Sequence, residues 1–154
     1  MVDEKKHDFK IGLWYGMFSP TPILPMTWWW EFFDEHGMTP YFNAVAEINE
    51  HMLQAGGGSF EKLAVSAAQI EAHSVKSGEN IYVYLVNHSG ASQTAKVTIG
   101  ATLEEDYILQ GFSPETREYQ TLQDPLITPG EVETPALSME PLQELILILS
   151  PKTS

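Results

Sequence analysis

The sequence contains no cysteine, which excludes disulfide bonds, thiolate metal sites and cysteine nucleophiles. Basic residues are scarce as well: 8 lysines and arginines stand against 21 aspartates and glutamates, and the formal net charge is −13. Phosphate contacts and anionic membrane surfaces both require clustered basic side chains. We therefore expect neither nucleic acid nor a membrane as a partner. No apolar run reaches the roughly 18 residues of a membrane-spanning helix, and residues 1–10 are too polar for a signal peptide.

The composition changes along the chain. The apolar fraction of 43% is typical of a globular protein, and all four tryptophans precede the glycine cluster Gly56-Gly57-Gly58-Ser59. Beyond that cluster the sequence consists of short β-prone runs separated by turn residues. We therefore place a domain boundary there, with one domain over residues 1–57 and a second over 58–154.

The first domain is predicted to be helix, buried strand, helix. Apolar spacing indicates a helix over 4–18, and a short apolar run after the prolines indicates a buried strand over Ile23–Phe33. A second helix begins with Thr39 as N-cap and Pro40 at the first helical position, and it ends near Ala55. Gly56 can then supply a left-handed C-cap. Such a unit is part of a parallel α/β fold and cannot close a core by itself.

The second domain is predicted to be an antiparallel β-sandwich, so the chain as a whole is mainly β. Six to eight strands recur at intervals of roughly 10 residues, with turn residues between them. The clearest central strand is Ile81–Val86, which a turn at Ser77–Asn80 precedes. Residues 123–141 contain only weak strand signals. The other predicted strands are Phe60–Ser66, Ile70–Val75, Thr94–Ile99, Asp106–Phe112, Arg117–Leu122 and Leu142–Leu149.

The candidate binding residues lie in the run Pro25–Asp34. Trp28, Trp29 and Trp30 are consecutive, and in a strand their indoles would point alternately to both faces. Buried aromatic side chains are good core filling, and exposed ones are platforms for the apolar faces of sugars. Glu31 and Asp34 could hydrogen-bond hydroxyl groups or simply form a solvated strand end. The residues alone leave both interpretations open.

Other patterns of catalysis or cofactor binding do not occur. No pair of the five histidines has tight ligand spacing, so neither a metal nor a cofactor is predicted. The glycine cluster follows a helix instead of preceding one, which is the wrong order for a phosphate-binding loop. Ser89 and Ser92 lack a nucleophile-elbow sequence around them.

The first half of the chain resembles the end of the (β/α)8 barrel of family 5-like glycoside hydrolases. The resemblance is carried by Leu13-Trp14-Tyr15-Gly16, Ser19-Pro20-Thr21-Pro22 and Met26-Thr27-Trp28-Trp29-Trp30-Glu31-Phe32-Phe33-Asp34, which look like the seventh helix and the eighth strand. Residues 58–154 resemble the small C-terminal β-domain of such enzymes. The turn at Gly111–Glu118 is similar to the family's Asp-Pro-x-Thr-Gly turn, except that Ser113 replaces Asp and Arg117 replaces Gly.

The resemblance implies a function for the tryptophan run. In the family an aromatic-rich eighth strand delivers a tryptophan to the floor of the sugar subsite at the catalytic face, which implies that Trp28, Trp29 and Trp30 stack on sugar. Beside them, Glu31 and Asp34 are expected to bind substrate by hydrogen-bonding its hydroxyl groups, or to orient the loop. The family's two catalytic glutamates belong to the fourth and seventh strands, and no residue here matches either. The chain therefore looks like the C-terminal part of a hydrolase of polysaccharides or oligosaccharides, inactive alone.

The implied partners are carbohydrate, bound through the complete parent barrel, and the missing N-terminal barrel portion. The parent is expected to be secreted or periplasmic, whereas the compartment of this chain stays open. The alternative is a non-catalytic β-sandwich module that binds carbohydrate or stabilises a barrel.

Overall fold

The helices lie in the first third of the chain. The computed structural model describes residues 2–19, 30–126 and 131–152. Within these ranges there are three helices, which are α1 (Val2–Phe18), α2 (Trp30–Glu35) and α3 (Thr39–Gly56). The helix predicted over 4–18 and the helix predicted from Thr39 to about Ala55 are both confirmed.

The rest of the described chain is antiparallel β-structure, as predicted. Six strands form the large sheet in the order β1-β3-β4-β11-β7-β8, three form a second sheet in the order β2-β6-β9, and β5 pairs with β10. The strands are β1 (Glu61–Leu63), β2 (Val65–Ala67), β3 (Glu71–Ser77), β4 (Asn80–Val86), β5 (Gln93–Ala95), β6 (Val97–Thr102), β7 (Tyr107–Phe112), β8 (Tyr119–Leu126), β9 (Glu131–Glu133), β10 (Leu137–Met139) and β11 (Glu144–Pro151).

Strand β4 is buried on both faces, because it lies between two apolar cores. Ile81, Val83 and Leu85 belong to the apolar core between the large sheet and the smaller sheets. Tyr82 and Tyr84 alternate with them and belong to a second core, which the large sheet shares with α1 and α3. The large sheet is therefore the middle layer, with helices on one face and the smaller sheets on the other.

The predicted buried strand is corrected at its C-terminal end. Residues 23–29 of that prediction lie outside the described residues, but Trp30–Phe33 are helical and belong to α2. Every strand pairing in the described part of the chain involves residues 61–151. An unpaired strand leaves its backbone groups without partners, whereas a helix satisfies them internally. Trp30–Phe33 are therefore helical in this chain.

Both predicted caps of α3 are wrong by one residue. Met38, not Thr39, is the N-cap, and it makes no side-chain capping bond. Gly57, not Gly56, adopts the left-handed backbone conformation at the C-cap, with φ of 59°. Gly56 is instead pressed against Ser77 and Gly78 of the β3–β4 turn, where a Cβ would overlap their atoms.

Several strand predictions differ in detail. The hairpin turn at Ser77–Asn80 and the central strand that follows it are confirmed. Phe60–Ser66 and Thr94–Ile99 are each divided between two elements, because the chain passes there from one sheet to another. Residues 123–141, where strand signals are weak, contain β9 and β10. The division into domains over 1–57 and 58–154 stays a prediction.

Candidate functional site

The five residues expected to bind sugar lie in or before α2. Trp28 and Trp29 lie outside the described residues, and Trp30 begins α2. Glu31 and Asp34 are exposed. Residues three apart lie on neighbouring positions of one helix face, so α2 keeps these two carboxylates close to each other. Their proposed role in binding hydroxyl groups stays a prediction.

Helix α2 is held by an aromatic corner, which we define as Phe9, Phe32, Phe33, His36 and Phe42. The ring centroids of Phe9 and Phe33 are 4.4 Å apart, and those of Phe9 and Phe42 are 5.5 Å apart. The His36 ring lies edge-on to Phe32 at 4.2 Å. These contacts join one residue of α1, three residues in or after α2 and one of α3. The aromatic corner therefore sets the position of Glu31 and Asp34 relative to the two long helices.

Trp14 is a core residue and not a sugar platform. Its side chain is only 2% exposed, and its indole stacks on Tyr84 with a centroid distance of 5.9 Å. Tyr82 and Tyr84 are fully buried in the same core. A ring must present an open face to stack on a sugar, so these three aromatic residues are unavailable for that purpose.

A polar cluster that the sequence analysis did not identify lies where α1 crosses one end of the large sheet. We name it the Glu71 cluster, and it comprises Tyr15, Glu71, His73 and His88. His73 Nε2 lies 2.8 Å from Glu71 Oε1, and His88 Nε2 lies 2.7 Å from Glu71 Oε2. The Tyr15 hydroxyl is 3.5 Å from His88 Nε2 and also donates to Glu71. One carboxylate therefore joins α1, β3 and the segment after β4.

Strand register explains how the cluster forms. Glu71 and His73 are two apart in β3, so they share a face, and Glu71 pairs with Val86 of β4. His88 follows Val86 by two residues, which brings it to the same edge. His73 and His88 are 15 positions apart in the sequence. Spacing rules for metal ligands look for closer pairs of histidines, so they do not detect this cluster. The signal that could have revealed the cluster is the hairpin register set by the turn at Ser77–Asn80.

The electrostatics of the cluster follow from these hydrogen bonds. Burial by itself raises the pKa of Glu71, but the hydrogen bonds from Tyr15, His73 and His88 outweigh it and lower that pKa overall. Burial and the same carboxylate raise the pKa of the Tyr15 hydroxyl. His7 of α1 faces His88 with ring centroids 6.3 Å apart. Burial and the nearby His88 lower the pKa of His7, so the folded protein favours an uncharged His7 ring.

A second carboxylate, Glu144 of β11, lies on the other side of Val86. Val86 pairs with Glu71 on one side and with Glu144 on the other, which places both carboxylates on the helix-facing side of the sheet. Glu144 Oε1 accepts a hydrogen bond of 2.7 Å from the Tyr84 hydroxyl. Burial raises the pKa of Glu144 despite that bond and the nearby Lys10. Glu144 is therefore a half-buried acid that protonates more readily than an exposed glutamate.

Glu144 also lines a small recess between the helices and the sandwich. The recess is small, because its empty volume of about 220 Å³ includes space that is open to solvent. Lys10 lies over the Tyr41 ring at 4.3 Å from its centroid. The lining residues are Lys10, Leu13, Trp14, Tyr41, Ala44, Pro114 and Glu144. Its size fits a small gap between layers better than a site for an oligosaccharide.

The described residues offer neither a cluster of metal ligands nor a membrane-spanning helix. They contain no group of three or more His, Asp or Glu side chains arranged to hold a metal ion. Among the helices of this part of the chain, none is long and apolar enough to cross a membrane.

This chain is similar to known proteins in structure, but not at the level of sequence families. No family model matches the sequence, and no curated protein matches it. One similar solved structure, from Bacillus halodurans, is provisionally assigned as an alpha-N-acetylgalactosaminidase, with 14% identity and a TM-score of 0.46. Another is an Anoxybacillus alpha-amylase, with 19% identity and a TM-score of 0.46. Both are glycoside hydrolases.

The matches cover 96% of this chain in each case. They cover 32% of the Bacillus halodurans chain and 33% of the Anoxybacillus chain. This chain therefore spans about a third of the length of the two solved structures. At these TM-scores the similarity carries no argument about what this chain binds or catalyses.

Proposed function

We propose that the chain is the C-terminal part of a glycoside hydrolase that cleaves O-glycosidic bonds of a polysaccharide or oligosaccharide. The proposal starts from the sequence resemblance of the tryptophan run to the last strand of a family 5-like barrel. In this proposal the sandwich supports the helices that flank the tryptophan run, and the missing N-terminal barrel portion is the partner that completes the enzyme.

The observation that carries the proposal is the packing of α1 and α3 on the outer face of the large sheet. Ile48 and Met52 of α3 are fully buried there together with Phe18 of α1, and Phe112 of β7 lies in the same core. Both long helices therefore share one apolar core with the sandwich. A β-domain that fixes two helices in this way is suited to stabilising the end of a barrel.

Sugar binding is assigned to Trp28, Trp29 and Trp30, with Glu31 and Asp34 as hydrogen-bonding partners of hydroxyl groups. What favours this assignment is the exposure of Glu31 and Asp34 and the buried position of the remaining tryptophan, Trp14. A sugar ring can stack its apolar face on an aromatic ring and can donate hydrogen bonds from its hydroxyl groups to carboxylates.

The isolated chain is proposed to be inactive. Glycoside hydrolysis requires a pair of carboxylates facing each other across a sugar-binding cleft. Glu71 is occupied by its bonds to Tyr15, His73 and His88, and Glu144 is bonded to Tyr84 beside a small recess. Neither is assigned a catalytic role.

The alternative of a carbohydrate-binding sandwich has less support. Aromatic residues of the sandwich are mostly buried: Tyr82, Tyr84 and Phe112 are at 0% exposure and Tyr107 is at 5%. Phe60 and Tyr119 are the aromatic residues of the described sandwich with substantial exposure, and Tyr119 packs against Phe112. A stabilising role for the sandwich agrees better with this distribution.

The first test is a fluorescence titration of the purified chain with soluble oligosaccharides, together with an assay for released reducing ends. We expect saturable quenching without hydrolysis, and loss of quenching when Trp28, Trp29 and Trp30 are replaced by alanine together. The matched control is Trp14→Phe, which leaves the proposed platform intact. Saturable quenching that survives the triple replacement would overturn the assignment of these residues, and hydrolysis by the purified chain would overturn the proposed inactivity.

The second test is the gene sequence upstream of Met1. An open reading frame coding for about seven further β/α units with two strand-end glutamates is the expected result. A stop codon and a promoter immediately upstream would instead favour a free-standing stabilising or binding module.

A further inference from the structure

The Glu71 cluster is a polar connection between α1 and the large sheet. Tyr15 is the α1 residue in it, and His73 and His88 belong to the sheet and to the segment after β4. The Tyr15 ring also packs on His73, with a centroid distance of 4.9 Å. The side chains of Glu71 and His88 are 40% and 44% exposed, so water and protons reach the cluster directly.

We propose that the Glu71 cluster is an acid-sensitive latch, which holds α1 on the sheet while Glu71 is charged and loosens the helical layer when that carboxylate is protonated. The inference does not depend on the proposed function. It rests on one carboxylate that hydrogen-bonds two histidines of the β-layer, and on Tyr15 of α1, whose hydroxyl is 3.5 Å from His88 Nε2 and whose ring packs on His73.

The two histidines strengthen the latch while Glu71 is charged. His73 and His88 each hydrogen-bond to one oxygen of Glu71, and bonds to a charged carboxylate are stronger than bonds to a neutral acid. Protonation of Glu71 therefore weakens both bonds, and loosening is expected when Glu71 titrates.

The direction of the effect follows from the two pKa values of Glu71. The folded protein lowers this pKa relative to the unfolded chain, so the carboxylate adds stability above the unfolded value, near pH 4.5. That stability is lost as the pH falls through the lower folded value. His7 acts in the same direction at higher pH, because its lowered pKa makes the folded state lose stability as the pH falls below its usual value of 6.5.

Other ionisable groups face the latch and modify it. Asp8 favours the charged form of His7, whereas Lys10 opposes it. Glu144 acts in the opposite direction to Glu71, because a raised carboxylate pKa favours the folded state in acid. Burial raises the pKa of the Tyr84 hydroxyl, and the charges of Glu144 and Glu71 raise it further.

We expect the sandwich to stay folded at a lower pH than the helical layer. The buried residues of the core between the sheets are aliphatic side chains together with Met139 and Tyr107, and they include no carboxylate and no histidine. Protonation below about pH 5 therefore changes no buried carboxylate or imidazole in that described core.

The experiment is amide hydrogen exchange of the full chain at several pH values from 7 to 3, corrected for the intrinsic exchange rate. Between about pH 5 and pH 3.5 we expect protection of α1 amides to fall by about tenfold or more, while β4 and β11 stay protected. Glu71→Gln mimics the neutral carboxylate, so its α1 protection at pH 6 should already be low and change little down to pH 3.5.

The matched control is Glu61→Gln, which neutralises an exposed carboxylate of β1 in the same sheet. It should follow the unmodified protein. If Glu71→Gln does not fold, Tyr15→Phe keeps the ring packing and removes only the hydroxyl of α1, and it should reduce α1 protection at neutral pH. The latch proposal would be overturned if α1 and β4 lost protection together as the pH falls. It would also be overturned if the variant that folds, Glu71→Gln or Tyr15→Phe, showed the same loss of α1 protection in acid as the unmodified protein.

Discussion

At the scale of single residues, Arg117 shows how the chain departs from the family turn that it resembles. Its φ is 60°, a left-handed conformation that glycine adopts at little cost. Its backbone N–H donates to the Ser113 carbonyl oxygen, so the turn closes without the family's glycine. Its guanidinium pairs with Glu47 of α3, with Nη2 and Oε2 separated by 2.8 Å. Arg117 therefore has a less favourable backbone conformation than glycine would have, but it forms an ion pair between the sandwich and α3.

Replacement of Arg117 separates these two effects. Arg117→Ala should destabilise the protein by about 1 kcal/mol, because it loses an exposed ion pair and keeps the left-handed backbone. Arg117→Gly should be nearly neutral, since glycine removes the backbone cost of about 1 kcal/mol as the ion pair is lost. Urea unfolding at neutral pH measures both. Equal destabilisation by alanine and glycine would mean that the backbone conformation costs little here.

At the scale of elements, the tip of the β3–β4 hairpin sits directly on the C-terminal end of α3. Ser77 Oγ donates a 2.7 Å hydrogen bond to the carbonyl oxygen of Met52, one of the last carbonyl groups of that helix. Gly78 has φ of 60°, and a Cβ at this position would overlap the carbonyl of Ala55. The hairpin tip therefore packs against the last turn of α3 and fixes that end of the helix to the large sheet.

This contact predicts a large effect for a small substitution. Gly78→Ala should destabilise the protein by more than about 2 kcal/mol, because it combines a left-handed alanine with a clash against backbone. Gly37→Ala is a matched control: Gly37 has φ of 62° and open space around it, so it should cost only about 1 kcal/mol. Thermal or urea unfolding compares the two. Equal costs would show that the hairpin tip and the helix end are not in tight contact.

At the scale of the whole molecule, the large sheet is a shared middle layer. On its outer face the helices cover a continuous apolar surface, whose β-strand members are Val75, Tyr82, Tyr84, Val86, Phe112, Ile146 and Ile148. An apolar patch of this extent is rarely left in contact with water in a monomer. The sandwich is therefore expected to depend on the helical layer for solubility.

A truncated chain that begins at Gly58 tests this dependence. It lacks α1 and α3, so its outer sheet face would be exposed, and we expect self-association and binding of a hydrophobic dye. Light scattering and dye fluorescence, measured beside the full chain at equal concentration, provide the comparison. A truncated protein that remains monomeric and binds no dye would show that the sandwich is independent of the helices.

The sequence by itself determined the elements whose signals are local. Helical spacing and Pro40 predict the two long helices. Runs of β-branched and aromatic residues, with turn residues between them, predict the hairpin and the central strand. All of these preferences act over a few neighbouring residues. Long-range pairing decided the rest. Trp30–Phe33 are helical because no described strand pairs with them. Gly56 lies against Gly78, and Glu71 joins His88 to Tyr15, because sheet register and layer packing bring distant residues together.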